Sequence, residues 1–303
     1  MHAVCQPVST MNIALYGKYV PDDLLPSIGE MLDVLHRLGG RIMIYEPLFR
    51  SLDGRTGIPG EPFLFTLNEE IAGKTDFLFS IGGDGTILEA VRLVGESGIP
   101  VAGINLGRLG FLSGISRDRI LPAMEAIRNG QYRIESRTLL ELVSPGDLFD
   151  GNNIALNDLT VYKPNVMTML TIRTWINGEM LNAYWADGLI VATPTGSTAY
   201  SLSCTGPIIT PDTEAFLITP IASHNLTVRP IVIRDDAEIM IRVEGKTPEY
   251  HVSLDSRIVT LDRPLELVIR KASFRINLLR QTDKNFFQTI REKLNWGLDN
   301  RNY

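Results

Sequence analysis

The sequence predicts an α/β N-terminal domain built on a parallel sheet, followed by a β-rich C-terminal domain. Three observations predict it. Strand and helix patterns alternate from Asn12 to Asn129, the order that gives a parallel sheet with right-handed crossovers. Phe77–Ile81 is almost wholly apolar, as expected of a strand covered by helices on both faces. Near Arg137 the pattern changes to short β-type runs punctuated by Gly and Pro, with few long helical stretches. The boundaries drawn are 1–135 and 136–303, with residues 1–10 as a disordered extension and a tail from about 280 packing back on the first domain.

Each element has its own signal. Asn12–Tyr19 reads as the first strand, and Asp22–Leu38 has apolar residues at helical spacing. That helix stops at Gly39-Gly40, a C-cap signal. Arg41–Phe49 reads as a second strand and Gly54–Pro62 as a Gly/Pro-rich loop. A helix over Ile87–Val94, a strand over Ile99–Asn105 and a helix over Arg117–Asn129 follow. In the second half the β-type runs are Leu139–Val143, Ile154–Tyr162, Met167–Ile176, Met180–Tyr184 and Leu189–Ala192, then Val228–Ile233, Ala237–Val243, Arg257–Leu261, Leu265–Ile269 and Phe274–Leu278. Asn177-Gly178 predicts a type I′ hairpin. These runs predict a sandwich or a multi-layered sheet, and Asp283–Leu294 a final short helix.

Composition narrows the partners. A net charge of −6 over 303 residues offers nothing global to nucleic acid or an anionic membrane. A polyanionic ligand must therefore be held locally. Cys5 and Cys204, the only cysteines, form no disulfide framework and fit a reducing cytoplasm. Residues 1–10 lack the basic and apolar regions of a signal peptide. Gly188–Pro211 is uncharged, but its Gly, Pro, Ser and Thr residues would leave polar groups unsatisfied in lipid. His2, His36, His224 and His251 show no metal-ligand spacing, so no protein metal site is assigned.

Four stretches carry candidate chemistry. Gly82-Gly83-Asp84-Gly85-Thr86 joins a strand to a helix. Its glycines let backbone N–H groups approach a ligand, and the helix N-terminus favours an anion. The loop matches neither the dinucleotide fingerprint nor the P-loop. Asp84 either caps the helix or orients an attacking hydroxyl and takes its proton. Asn105–Gly114 is a second Gly-rich turn after a strand, in which Arg108 either meets a phosphate or is an exposed loop arginine. Asn157 and Asp158 interrupt an apolar run, as an Asx turn or as ligands, Asn for an adenine or amide edge and Asp for ribose hydroxyls. After Asp187, the residues Thr193, Thr195, Ser197, Thr198, Tyr200, Ser201 and Ser203 gather hydroxyls, as a surface loop or as a wall for a polyhydroxylated ligand.

From Met11 to about Arg280 the chain resembles the NAD kinase family. Gly82–Thr86 alone is shared with diacylglycerol-type lipid kinases and resembles a loop of phosphofructokinases. Ile104–Leu112, Leu156–Asp158, Asp187–Ser203 and Pro220–Val232 together are specific to NAD kinases. The resemblance implies the NAD kinase/diacylglycerol kinase-like α/β domain with a β-rich partner. It implies transfer of the ATP γ-phosphate to the adenosine 2′-hydroxyl of NAD, with Mg²⁺ or another divalent cation, by a homodimer or homotetramer. By the same resemblance Asp84 is the proton acceptor with Gly85 beside it. Asn157, Asp158, Asp187, Thr198, Ala199, Tyr200, Ser201, Leu202, Ser203 and Ala222 would bind the dinucleotide.

The chain also departs from the family. Asp158 stands where Glu is usual, Cys204-Thr205 replaces a small Ala-Gly pair, and Arg257 replaces a frequent glutamine and is left out of the site. The alternative readings are a lipid kinase, which needs an apolar acceptor cleft, and a non-catalytic NAD-binding sensor.

Overall fold

The computed structural model describes residues 10–37, 39–107, 110–164, 169–244, 249–282 and 285–296. The expected N-terminal extension, apart from Thr10, lies outside these, as do Arg108 and the expected starts at Met167 and Asp283. The chain forms two compact units, one comprising residues up to Ser136 together with those from Ile276 onward, the other Arg137–Arg275.

The first unit is the expected α/β domain. Its elements run β1 (Ile13–Tyr16), α1 (Leu25–Arg37), β2 (Ile42–Tyr45), α2 (Glu46–Leu52), β3 (Phe63–Phe65), β4 (Phe77–Ile81), α3 (Asp84–Val94), β5 (Val101–Asn105), β6 (Ile115–Ser116) and α4 (Ile120–Arg128). The strand order β5-β4-β1-β2-β3 is parallel throughout, with Ile13 opposite Phe77 and Leu78 opposite Val101. Every residue of β1, β4 and β5 is buried. The core packs Ile13, Leu15, Phe79 and Ile104 against Ile28, Met31 and Leu32 of α1 and Met124 and Ile127 of α4. Each large aliphatic side chain buried there contributes about 1.5–3 kcal/mol.

The expected strand over Arg41–Phe49 ends at Tyr45, and α2 begins at Glu46 with Pro47 in its first turn. Proline fixes φ near the helical value and lacks only an N–H that the first turn does not use. The short strand β3 went unread because two of its three residues are exposed.

The second unit is β-rich. It takes in most of β7 (Tyr132–Ser144), then β8 (Ile154–Ala155), β9 (Asp158–Tyr162), β10 (Leu170–Ile176), β11 (Glu179–Ala186), β12 (Gly188–Ala192), α5 (Tyr200–Ser203), β13 (Ala215–Ile221), β14 (Ile231–Arg234), β15 (Ile239–Glu244), β16 (Tyr250–Leu254), β17 (Arg257–Leu261) and the first part of β18 (Glu266–Gln281). Within it, β11-β10-β15-β18 form one antiparallel layer and β14-β13-β12-β9-β16-β17 another. The two layers share one core, with Ile172, Ile241 and Ile269 from the first meeting Val161, Val191, Phe216 and Val252 from the second. Asn177 and Gly178 take φ of 51° and 81° between β10 and β11, the predicted type I′ hairpin. The two expected strands Leu265–Ile269 and Phe274–Leu278 are one continuous strand, β18, and β13 and β16 are strands beyond those expected. Residues Phe286–Leu294 form the final helix, α6.

Candidate active site

In the first unit the strand order reverses between β1 and β4, since β2 lies on one side of β1 and β4 on the other. Open α/β sheets bind ligands beyond the carboxyl ends of the strands at such a point. The Gly82–Thr86 turn leaves β4 there. The helix expected from Ile87 starts three residues earlier, at Asp84, with Gly83 as its N-cap and no side-chain cap. The capping reading of Asp84 is therefore set aside.

The Asp84 carboxylate turns instead to the second Gly-rich turn. Oδ2 accepts the Phe111 N–H at 2.9 Å, and Oδ1 accepts the Ser113 N–H at 3.1 Å and the Ser113 hydroxyl at 3.3 Å. The Leu112 N–H lies 3.3 Å from both oxygens. Gly110 makes this approach possible, because a Cβ there would lie 1.9 Å from Asp84 Oδ1. Nearby, Asn105 is buried and donates to Ser113 Oγ at 2.9 Å.

In the second unit, Asn157 and Asp158 sit where the run expected over Ile154–Tyr162 breaks between β8 and β9. An Asx turn is not what breaks it. The Asp255 carboxylate accepts the N–H groups of Leu156, Asn157 and Asp158 at 2.9, 2.8 and 3.2 Å. On the other flank Thr193 donates its N–H to Asn157 O at 2.9 Å and its hydroxyl to Leu156 O at 2.5 Å. Both flanks grip the backbone, and the Asn157 side chain makes no hydrogen bond to any described residue.

Asp158 is buried, with its Oδ1 accepting the Thr160 hydroxyl at 3.0 Å. Burial, and then the Asp255 charge, push its pKa up to about 7, partly offset by Thr160. Burial raises Asp255 as well, but three backbone N–H groups oppose it. The proton shared by this acid pair therefore belongs on Asp158.

Asp187 joins β11 to β12 and forms an ion pair with Lys163 at 2.5 Å. Burial raises the pKa of the Tyr200 hydroxyl first, followed by electrostatic repulsion from Cys204, Tyr162, Asp158 and Asp187. Tyr162, Tyr200, Ser253, Asp255, Ser256 and Ile258 line a cavity of about 310 Å³. Ala222 is exposed at the end of β13 with φ of 44°.

The hydroxyl-rich segment is two populations rather than one wall. Thr193, Thr195, Ser197 and Ser201 are buried. Ser197 Oγ donates to Pro194 O at 2.6 Å and accepts the Ile209 N–H at 3.0 Å, while Ser201 Oγ lies 2.9 Å from Thr219 Oγ1. Their work is to fold the segment over Ile190, Ala192 and Leu217 on the second face of β12. Ser201 is therefore an internal side chain. Tyr200 and Ser203 are exposed, and Thr198, Ala199 and Leu202 half-buried. Arg257, left out on sequence grounds, donates to Asn152 O and to Ile154 O and stacks on Phe149, so it secures the preceding loop.

Sequence reasoning missed Asp255, Ser113 and Lys163. A turn signal marked Asp255, an aspartate between two β-type runs in Ser253-Leu254-Asp255-Ser256. Among the described residues no group of three or more His, Cys, Asp or Glu side chains could hold a metal ion.

Two family models match the chain, the ATP-NAD kinase N-terminal domain over residues 64–132 and the ATP-NAD kinase C-terminal domain over 156–280. The NAD kinase of Cytophaga hutchinsonii is 41% identical over 292 residues, covering 96% of this chain and 100% of the relative. That of Flavobacterium johnsoniae is 42% identical over 294 residues, with the same coverage. Among solved structures, yeast NADH kinase complexed with NADH superposes with a TM-score of 0.83 at 27% identity, covering 96% of this chain and 89% of that one. An NAD kinase from Archaeoglobus fulgidus in complex with ATP superposes at 0.71 and 25% identity, covering 94% and 99%. With both halves matched and relatives similar from end to end, the chain belongs to the NAD kinase family, phosphotransferases that make NADP.

Proposed function

We propose that this chain transfers the γ-phosphate of ATP to the adenosine 2′-hydroxyl of NAD, with Asp84 accepting the hydroxyl proton. The observation that carries this is the Asp84 carboxylate, held at the reversal point of the parallel sheet on the first turn of α3. Phosphoryl transfer passes through a loose transition state, so aligning the acceptor matters more than deprotonating it early. Five contacts from four donors already fill a carboxylate that offers about four lone-pair sites. An incoming hydroxyl would displace one of the long contacts, the bifurcated Leu112 N–H at 3.3 Å.

Residues 1–135 are assigned to the nucleotide and 136–303 to the dinucleotide, with the tail from about 280 returning to the first domain. Gly85 would bring its exposed backbone close to the phosphates. Asn157 offers its unengaged amide to the dinucleotide, and Asp158 and Asp187 offer carboxyl groups. Ala222 and residues 198–203 complete the contact, with Tyr200 and Ser203 exposed, the Thr198 hydroxyl donating to Thr195 O at 3.1 Å, and Ser201 bonded to Thr219 in the interior. The donor set around Asp84 does not suit a protein-held ion, so a divalent cation, Mg²⁺, would arrive on the triphosphate, its usual carrier. No helix of the described residues is long and apolar enough to cross a membrane. We place the enzyme in the cytoplasm as a homodimer or homotetramer, without nucleic-acid or membrane partners.

The test is purified protein with NAD, ATP and Mg²⁺, the product read by an NADP-specific dehydrogenase. NADP formation is expected. NAD binding without NADP would favour the sensor, and ATP turnover only with a lipid acceptor would favour a lipid kinase.

A further inference from the structure

We propose that Ser113 is a positioning residue for the reaction, orienting the Asp84 carboxylate through its hydroxyl; this rests on Asp84 being the proton acceptor. The orientation of that hydroxyl is forced. Ser113 is 2% exposed, and its Oγ accepts the Asn105 side-chain N–H at 2.9 Å and the Gly110 N–H at 3.1 Å. The Asn105 amide is fixed in turn, because its Oδ1 accepts the Gly107 N–H at 2.6 Å and so its Nδ2 must face Ser113. A serine hydroxyl has two lone pairs and one hydrogen. Both lone pairs meet N–H donors, which leaves the hydrogen for Asp84 Oδ1 at 3.3 Å.

The Ser113 N–H reaches the same oxygen at 3.1 Å, so one residue grips it from backbone and side chain together. The turn that carries these donors is pinned from behind. Arg280 donates through Nη1 to Leu112 O at 2.6 Å and through Nη2 to Phe111 O at 3.3 Å, with its Nε 3.5 Å from the Glu135 carboxylate. Glu135 is held by Arg133 at 2.8 Å. A chain of fixed groups thus ends on the carboxylate and leaves it one orientation.

Two other roles are open to the same hydroxyl. It could merely hold the turn together, or it could restrain Asp84 away from its substrate. Ser113→Ala and Ser113→Thr, made in the wild-type and in the Asp84→Asn background, separate all three. Loss of one hydrogen bond to a charged group is expected to lower kcat about tenfold in Ser113→Ala. The KM values for NAD and ATP should change less than about twofold, since ground-state binding is untouched. Ser113→Thr, which keeps a hydroxyl, should recover most of the loss. In the Asp84→Asn background Ser113→Ala should cost nothing further, because residues acting through one another are not additive.

Unchanged or raised kcat in Ser113→Ala overturns the proposal, as does an equal loss in both backgrounds. So does failure of Ser113→Ala to fold, which would assign the hydroxyl to the structure of the turn. Near-normal turnover of Asp84→Asn by itself would instead remove the reading of Asp84 on which the proposal rests.

Discussion

Asp158 shows how far a single residue departs from what its letter promises. As a sequence it is an acid where the family usually has a longer one. In the structure it is a buried group whose pKa of about 7 stands well above its ordinary 3.8, chiefly through burial and then through Asp255. Between about pH 4 and pH 7 the folded chain therefore holds a proton that the unfolded chain has released. Its contribution to stability is complete below the lower value and is lost as pH rises through the upper one. Asp158→Asn mimics the protonated form, so the variant should gain on the wild type as pH rises. We expect its Tm advantage to be about 2–4 °C larger at pH 8.5 than at pH 5 by calorimetry. A difference that is flat in pH would remove Asp158 as the protonated partner. Little of this was legible in the sequence, because the cause is Asp255, 97 residues away along the chain.

At the scale of elements, the hydroxyl-rich segment over β12 carries the clearest lesson. The apolar run Leu189–Ala192 was read as a strand, and burial on both faces explains why no polar residue interrupts it. The clustering of hydroxyls after it was equally legible. Their division was not, since a count of Ser and Thr cannot tell a hydroxyl paired with Thr219 or Ile209 from one facing outward. Likewise the apolar pattern of Arg41–Phe49 does not reveal that Pro47 helps start a helix, because its role lies in the first turn of α2.

The segment is locked to the Asn157 turn at Gly196, where a Cβ would lie 2.1 Å from Asn157 O. Gly196→Ala must push the two apart. The expected cost is about 1–3 kcal/mol in denaturant unfolding, with a raised KM for NAD and a smaller change in KM for ATP. An Ala variant of wild-type stability and KM would show that the lock is not needed.

The whole molecule is two compact units, each with its own hydrophobic core. The parallel unit carries a helix N-terminus and the Asp84 carboxylate at the reversal of its strand order, and the β unit is an antiparallel double layer around its own core. The fold class was legible because strand–helix alternation and short β-type runs are periodic, local signals. The partners of Asp84 were not, because Phe111 to Ser113 lie 27 to 29 residues downstream and donate mainly through backbone groups that carry no sequence signature.

With a net charge of −6, the molecule has no general attraction for a polyanion. In the proposed reading, local groups and a cation carried by the triphosphate hold the phosphates, and the Asp84 carboxylate faces the acceptor hydroxyl. The rate of NADP formation by Asp84→Asn beside the wild type, at saturating NAD, ATP and Mg²⁺, tests that claim most directly. The account predicts a kcat lower by at least about 10²-fold with NAD binding little changed. Turnover close to that of the wild type would contradict it.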